Sequence, residues 1–329
     1  MLNLIKQFTS AFSVSGREGA LASIIEKEIK PFVDSTETDA LGNLIAFKKG
    51  ADSSKRLMIA AHMDEIGFVA SYITDKGFIR VDKVGGISPL YSAYGRVRFE
   101  NGVTGVIVTD ASAKGELKVK DLVLDIGAKT KREAEKKVKI GDLCALVPEI
   151  TRLMNRRYSA KAFDDRLGCA VAVKAAMDAK KPAFDTYYVF CVQEEVGLRG
   201  SKPAAFNIAP HYSIAVDVTA TGDTVGAKPM EVSLGKGAAI KIKDSSVICS
   251  KLMVDAMVEQ AKEKKIPYQL EVLEAGGTDT ASMQIAGAGS HAGCISIPTR
   301  YIHSPVETVD LGDVEACVKL LTAMVENLK

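Results

Sequence analysis

The residues that could do chemistry in this chain stand where apolar runs stop. Tyr187–Val192 is an unbroken apolar and aromatic stretch, and it gives way to two adjacent carboxylates, Glu194 and Glu195, then Gly197 and Gly200. Leu57–Ala61 stops at His62 and Asp64, and Ser213–Val216 stops at Asp217. A carboxylate beside a buried strand is costly unless something positive meets it. An arginine or a metal ion would serve, and repetition of the pattern at several strand ends favours metal. Asp164 and Asp165 stand where a strand-like segment passes into a helix, and His303 follows the 298–302 segment. Two histidines and three or four carboxylates on one edge suit a dinuclear divalent site with nitrogen and oxygen ligands. Two such ions carry four positive charges, which three carboxylates and a bridging hydroxide would balance.

Each motif alone has a plainer explanation. His62 and Asp64 are two apart, so on extended chain they share a face. Asp64 can then take the second ring N–H of His62 and fix its tautomer, but an ordinary strand-end hydrogen bond would look the same. Asp164 and Asp165 could cap a helix. Glu194 and Glu195 could be half of a salt bridge with Arg166, Arg199 or Arg300. Asp217 is the hardest to explain away, since apolar and small residues precede it. His211, after Pro210, and His291, in a Gly/Ala-rich loop, read as structural or surface residues. The Gly276–Thr280 turn could meet a substrate or cap a helix from Ala281, and Arg300 could meet an acidic substrate or an internal acid.

The elements that must position these groups read as an α/β chain. Buried runs suggest central strands, and ligands of an open α/β sheet bind outside the carboxyl ends of its strands. Helices are expected over 19–29, 167–179, 248–264 and 309–328, the last with Leu311, Val314, Cys317, Val318, Leu321 and Met324 at helical spacing. Between residues 66 and 157 the texture changes to short alternating strands with frequent turns. Asn101-Gly102 marks a hairpin there, and Thr130 with Glu133 has the spacing of a capping box for a helix over 131–138. This predicts a first catalytic part over 1–65, a small inserted β-rich domain over 66–157, and a second catalytic part over 158–329.

Composition narrows the classes further. The 329 residues carry a net charge of +2, which makes no electrostatic case for nucleic acid. The six cysteines show no CxxC and mostly sit in apolar runs, as expected of reduced core residues in a cytoplasmic protein. No window approaches 18 apolar residues, so no membrane span is expected, and the amphipathic N-terminus lacks a signal-peptide pattern.

Six segments taken in order, AHMDEIGF, AFDDRLG, QEEVGLRG, the Asp217 strand end, GGTDT and PTRYIHSP, resemble the motifs of the M42 family of metallo-aminopeptidases. The resemblance runs from His62 to Pro305. It implies a three-layer α/β/α phosphopeptidase-like core with an inserted PDZ-like dimerisation domain. It also implies two divalent metal ions; nitrogen and oxygen ligands without a thiolate suit zinc or cobalt, with manganese as the alternative. His62 and Asp217 would hold one, Glu195 and His303 the other, and Asp164 would bridge them. A water between the metals would be the nucleophile, Glu194 the general base, and Asp64 the residue behind His62. The substrates would be short peptides losing their N-terminal residue, and the assembly a homo-oligomer of dimers up to a dodecamer. A cis peptide between Asp164 and Asp165 also follows from the resemblance.

Three other functions are weighed beside it. An amidase or deacylase of the same clan would use the same ligands. A glycoside hydrolase could pair Glu194 with Asp217, but it needs no histidine pair, and a chain without tryptophan lacks the usual sugar platforms. A metal-stabilised scaffold would not need the base.

Overall fold

The computed structural model describes residues 1–329. The chain opens with α1 (Leu2–Ser10) and α2 (Gly19–Ile29), then strands β1 (Ser35–Thr38), β2 (Leu44–Lys48) and β3 (Asp52–His62). Next come β4 (Gly67–Ile73), β5 (Ile79–Val84), helix α3 (Pro89–Ser92), β6 (Arg96–Phe99) and β7 (Thr104–Thr109). They are followed by β8 (Leu122–Asp125), α4 (Lys131–Glu135) and β9 (Leu143–Leu146). The chain returns through β10 (Thr151–Arg152), β11 (Arg157–Ala160), α5 (Phe163–Asp178), β12 (Phe184–Cys191), α6 (Ser201–Ile208) and β13 (Tyr212–Thr219). It closes with β14 (Ala238–Lys243), α7 (Lys251–Glu263), β15 (Tyr268–Val272) and α8 (Asp279–Gln284), then β16 (His291–Arg300), β17 (Glu307–Asp310) and α9 (Leu311–Asn327).

Two sheets result. An 11-stranded sheet runs β1-β2-β12-β3-β13-β16-β17-β11-β10, with β14 and β15 branching from β16. Its centre, β12-β3-β13-β16, is parallel. Period-two alternation sends β3 to both faces. Leu57, Ile59 and Ala61 pack in the core shared with α1, α2, α5 and α9. Met58 and Ala60 pack on the other face with Ala204 and Ala205 of α6 and Met283 of α8. This is why the run reads as continuously apolar: helices cover both sides. The second sheet is a closed six-stranded antiparallel barrel, β4-β5-β8-β7-β6-β9, with its own core around Phe68, Ile79, Val97, Phe99 and Leu124.

Local expectations met some corrections. The terminal helix starts at Leu311, not Val309, because Glu307–Asp310 pair as a strand with Arg157–Ala160. Asp310 then caps the helix by accepting the Gly312 N–H at 2.8 Å. The helix over 131–138 stops at Glu135. Thr130 accepts the Glu133 N–H at 3.3 Å as a cap should, but Glu133 takes the Lys129 N–H instead of completing the box. The helix expected from 167 begins at Phe163, although Asp164 and Asp165 keep non-helical backbone and their shared peptide is cis. No helix is long and apolar enough to cross a membrane, and all six cysteines are free and buried.

The chain leaves the large sheet after His62 and returns to it at β10 and β11. Near those crossings Glu65 is fully enclosed, paired with Lys161 beyond β11 and, at 2.9 Å, with Arg166 of α5. Removing one member of such a buried network leaves an uncompensated charge, so the network holds both crossings against the helix that carries Asp164.

Candidate metal centre

The site forms where the parallel strands end. His62 closes β3 in register with Cys191 of β12. Beyond Cys191 the chain turns sharply at Gln193, whose φ is +56°. Asn43 fixes this turn by accepting the Val192 N–H at 2.9 Å and donating to the Gly200 carbonyl at 2.9 Å. Gly200 is required there, since a Cβ would lie 2.3 Å from Asn43 Oδ1. Glu18 adds an acceptor for the Gln193 N–H at 3.1 Å. Asp64 then takes the Glu194 and Glu195 N–H groups at 2.9 and 3.1 Å, and the Ser15 hydroxyl at 2.6 Å.

Side chains from β3, α5, β13 and the loops after β12 and β16 converge. His62 Nε2 is 3.0 Å from Asp164 Oδ1 and 3.9 Å from both Glu194 Oε2 and Asp217 Oδ1. His303 Nε2 is 3.2 Å from Asp164 Oδ2 and 3.2 Å from Glu195 Oε2. The two oxygens of Asp164 thus face two different imidazoles. On the far side of the His62 ring, Nδ1 is 3.2 Å from the Asp64 carbonyl and 3.5 Å from its Oδ1. The carbonyl is the nearer acceptor because the Asp64 carboxylate is committed to the Glu194–Glu195 backbone.

Electrostatics test whether this donor set suits a cation. Burial raises the pKa values of Glu194, Asp217 and Asp165 well above the carboxylate range, and neighbouring acids add to the rise. Burial and Asp164 also raise Glu195. Burial works against the charged form of His62, yet Glu194, Asp164, Asp64 and Asp217 around it raise its pKa well above the ordinary value. His303 is likewise opposed by burial but lifted to about 12 by Asp164 and Glu195. Burial raises Asp164 too, but the two imidazoles outweigh it and leave the carboxyl depressed. Negative charge is in excess, and Glu195 Oε1 is buried with no hydrogen-bond partner. Donor atoms of His62, Asp164 and Glu195 lie within 4.8 Å of one another, as do those of His62, Asp165 and Asp217. Nitrogen and oxygen donors, crowded, buried and short of positive charge, fit divalent cations.

The salt-bridge explanation of Glu194 and Glu195 fails. Arg166 pairs with Glu65, Arg199 reaches Gln193 at 3.3 Å, and Arg300 pairs with Asp223 at 2.7 Å. His211 and His291 stay outside the cluster: His211 Nδ1 accepts the Arg56 N–H, and His291 stacks on Tyr212. In the Gly276–Thr280 turn, Thr278 caps α8.

Several supporting contacts had no warning in the sequence. Glu307 accepts the His303 N–H at 2.9 Å and the Asp164 N–H at 3.0 Å, aligning two facing residues from two segments. Asp165 accepts the Gly168 N–H at 2.9 Å and the His62 N–H at 3.2 Å, which ties the start of α5 to β3. Asp279, fully buried beneath the cluster, is hydrogen-bonded by Ser201. From the barrel, the Gly85-Gly86 turn presses on the site. A Cβ at Gly86 would lie 2.8 Å from His303 Nδ1, and one at Gly85 would lie 3.2 Å from Glu195 Cβ. The nearest available signal was the Gly-Gly pair itself, which reads locally as a turn.

The acid-rich, histidine-bearing cluster lies at the carboxyl edge of a sheet covered by helices on both faces, an arrangement that suits divalent metal ions. Comparison with known proteins narrows the class. Residues 42–320 match the family described as M42 glutamyl aminopeptidase. A putative aminopeptidase of Acetivibrio thermocellus is 49% identical over 98% of this chain and 97% of its own. Among solved structures, an aminopeptidase from the archaeon Desulfurococcus kamchatkensis superposes with a TM-score of 0.96 at 39% identity, covering 99% of this chain and 94% of its own. The TET1 peptidase of Pyrococcus horikoshii, described as able to assemble into a tetrahedron or a large octahedral shell, gives 0.89 at 35% identity, covering 99% of each chain. The chain belongs to the M42 family of aminopeptidases, which are metal-dependent peptide hydrolases.

Proposed function

We propose that this protein is a dinuclear aminopeptidase that removes N-terminal residues from short peptides. In this reading His62 and Asp217 would hold one divalent ion, Glu195 and His303 would hold the other, and Asp164 would be shared by both. The observation that carries the reading is the Asp164 carboxylate, with one oxygen 3.0 Å from His62 Nε2 and the other 3.2 Å from His303 Nε2. When bound, zinc, cobalt or manganese ions would acidify a water molecule and polarise the scissile carbonyl.

The chain's own groups have the remaining tasks. Glu194 is the general base: it takes a proton from the attacking water and delivers it to the leaving amine. Its backbone is fixed by Asp64, and burial raises its pKa above the ordinary carboxylate range. Asp64 receives the His62 Nδ1–H, chiefly on its carbonyl, and so presents Nε2 to the metal side. Glu307 holds the backbones of Asp164 and His303 at their working spacing.

The six-stranded barrel is taken as the PDZ-like dimerisation unit, inserted over 66–157 between catalytic parts 1–65 and 158–329. Likeness to the TET1 peptidase, described as a dodecamer in one solved structure, supports assembly of this chain into a homo-oligomer; in this reading dimers combine into a dodecamer. Six free buried thiols suit a reducing, cytoplasmic setting.

Metal analysis of the purified protein tests the site. The native chain should bind two divalent ions, and Asp164→Asn should lose bound metal while keeping its fold by circular dichroism. A single ion per native chain, or full occupancy in the variant, would overturn the bridging assignment.

A further inference from the structure

A cleft of about 690 Å³ opens at the loop that carries His303, lined by Ile302 and Ser304 on either side of that residue. It is bounded by the chain just past β13, from Ala220 three residues after Asp217, and by the end of β16 and the loop that carries His303. Ala220, Val225, Ala227, Ile302 and Val306 give it apolar walls, and Tyr91 closes it from the barrel side. Its size is that of a small-molecule pocket.

Only one charged side chain lines it, Arg300, and that charge is spent. Arg300 Nε reaches Asp223 Oδ1 at 3.1 Å, while Nη2 reaches Asp223 Oδ2 at 2.7 Å and the Asp223 carbonyl at 2.9 Å. The fork geometry is bidentate, which makes the pair strong and directional. Asp223 is held in turn, accepting the Leu234 N–H at 3.2 Å. An acidic side chain entering the cleft would find its cation already paired, and a basic one would find no free carboxylate. Thr221, Thr224, Thr299 and Ser304 would offer either one only hydroxyls, which do not replace the water and the counter-charge it gives up.

The geometry points to this cleft as the pocket for the first side chain of the peptide, selecting neutral apolar residues such as leucine, methionine or phenylalanine, with Asp223 setting that choice by neutralising Arg300. The inference rests on the aminopeptidase reading above and adds its substrate class.

The test is kcat/KM for leucyl-, glutamyl- and lysyl-p-nitroanilide with the metal-loaded native protein, Asp223→Asn and Val306→Lys. The native protein should favour leucyl over both charged substrates by at least about tenfold. Asp223→Asn frees Arg300 and should shrink the leucyl-to-glutamyl ratio by roughly tenfold. Val306→Lys, at a half-exposed wall position that tolerates a longer side chain, should shrink the same ratio. Ratios are read within each protein, so a partial loss of folded enzyme cancels. A native preference for glutamyl or lysyl substrate, or ratios unchanged in both variants, overturns the pocket assignment alone. Release of nothing from any substrate overturns it together with the aminopeptidase reading.

Discussion

The Asp64 carboxylate grips the backbone of Glu194, Oδ1 accepting its N–H at 2.9 Å, while Oδ2 accepts the next N–H at 3.1 Å. Because Asp64 also backs the His62 ring, one residue sets the relation between an imidazole on β3 and the acid pair beyond β12. Burial raises the Asp64 pKa, but contact with His62 and Ser15 outweighs it and keeps the carboxyl below its usual range, so it accepts as an anion. Asp64→Ala should therefore lower metal affinity by roughly 10–100-fold, as loss of a residue supporting a metal ligand does. Titration with divalent ions measures this, and unchanged affinity would mean that the loop holds itself.

Glu194 is assigned a proton-carrying role, separate from ligation. Glu194→Gln keeps the shape and removes the base. It should retain both metals and lose activity by roughly 10²–10⁴-fold. Metal analysis alongside steady-state kinetics separates the two effects. Full activity would end the assignment, and loss of metal would make Glu194 a ligand.

The barrel shapes the site directly through Gly86. A methyl group there would lie 2.8 Å from His303 Nδ1 and 2.9 Å from Cε1, closer than side-chain atoms tolerate. Gly86→Ala should push the imidazole aside and lower the bound metal per chain, with the remaining ion held by His62. Gly19→Ala, where an added Cβ meets nothing within 4 Å, is the control and should leave metal content unchanged. Equal metal in both variants would show that His303 moves freely.

The clustering of these polar residues was legible because three apolar strands break off at them. Nothing in a packed core explains His62, Glu194–Glu195 and Asp217 at those points. The supporting residues were not legible, because their partners are distant in sequence. Glu307 meets Asp164 across 143 positions, and Glu65 meets Arg166 across 101. The Gly85-Gly86 turn is readable as a turn, but its contact with His303 exists only once the barrel sits on the core. The last helix starts two residues later than its periodicity suggests for a related reason. Val309 and Asp310 fit a helical pattern locally, yet pairing with Tyr158 and Arg157 draws them into the sheet. Long-range pairing outweighs local periodicity at such an edge.

The central claim is that metal ions held by these residues cleave a peptide-like amide next to a free N-terminus. The most direct measurement is aminoacyl-p-nitroanilide hydrolysis by native protein, by protein stripped with chelator, and by stripped protein given back Zn²⁺, Co²⁺ or Mn²⁺. The account predicts loss of activity on stripping and recovery with at least one of these ions. Undiminished activity in the stripped protein, or no amide cleavage with two ions bound, would contradict it.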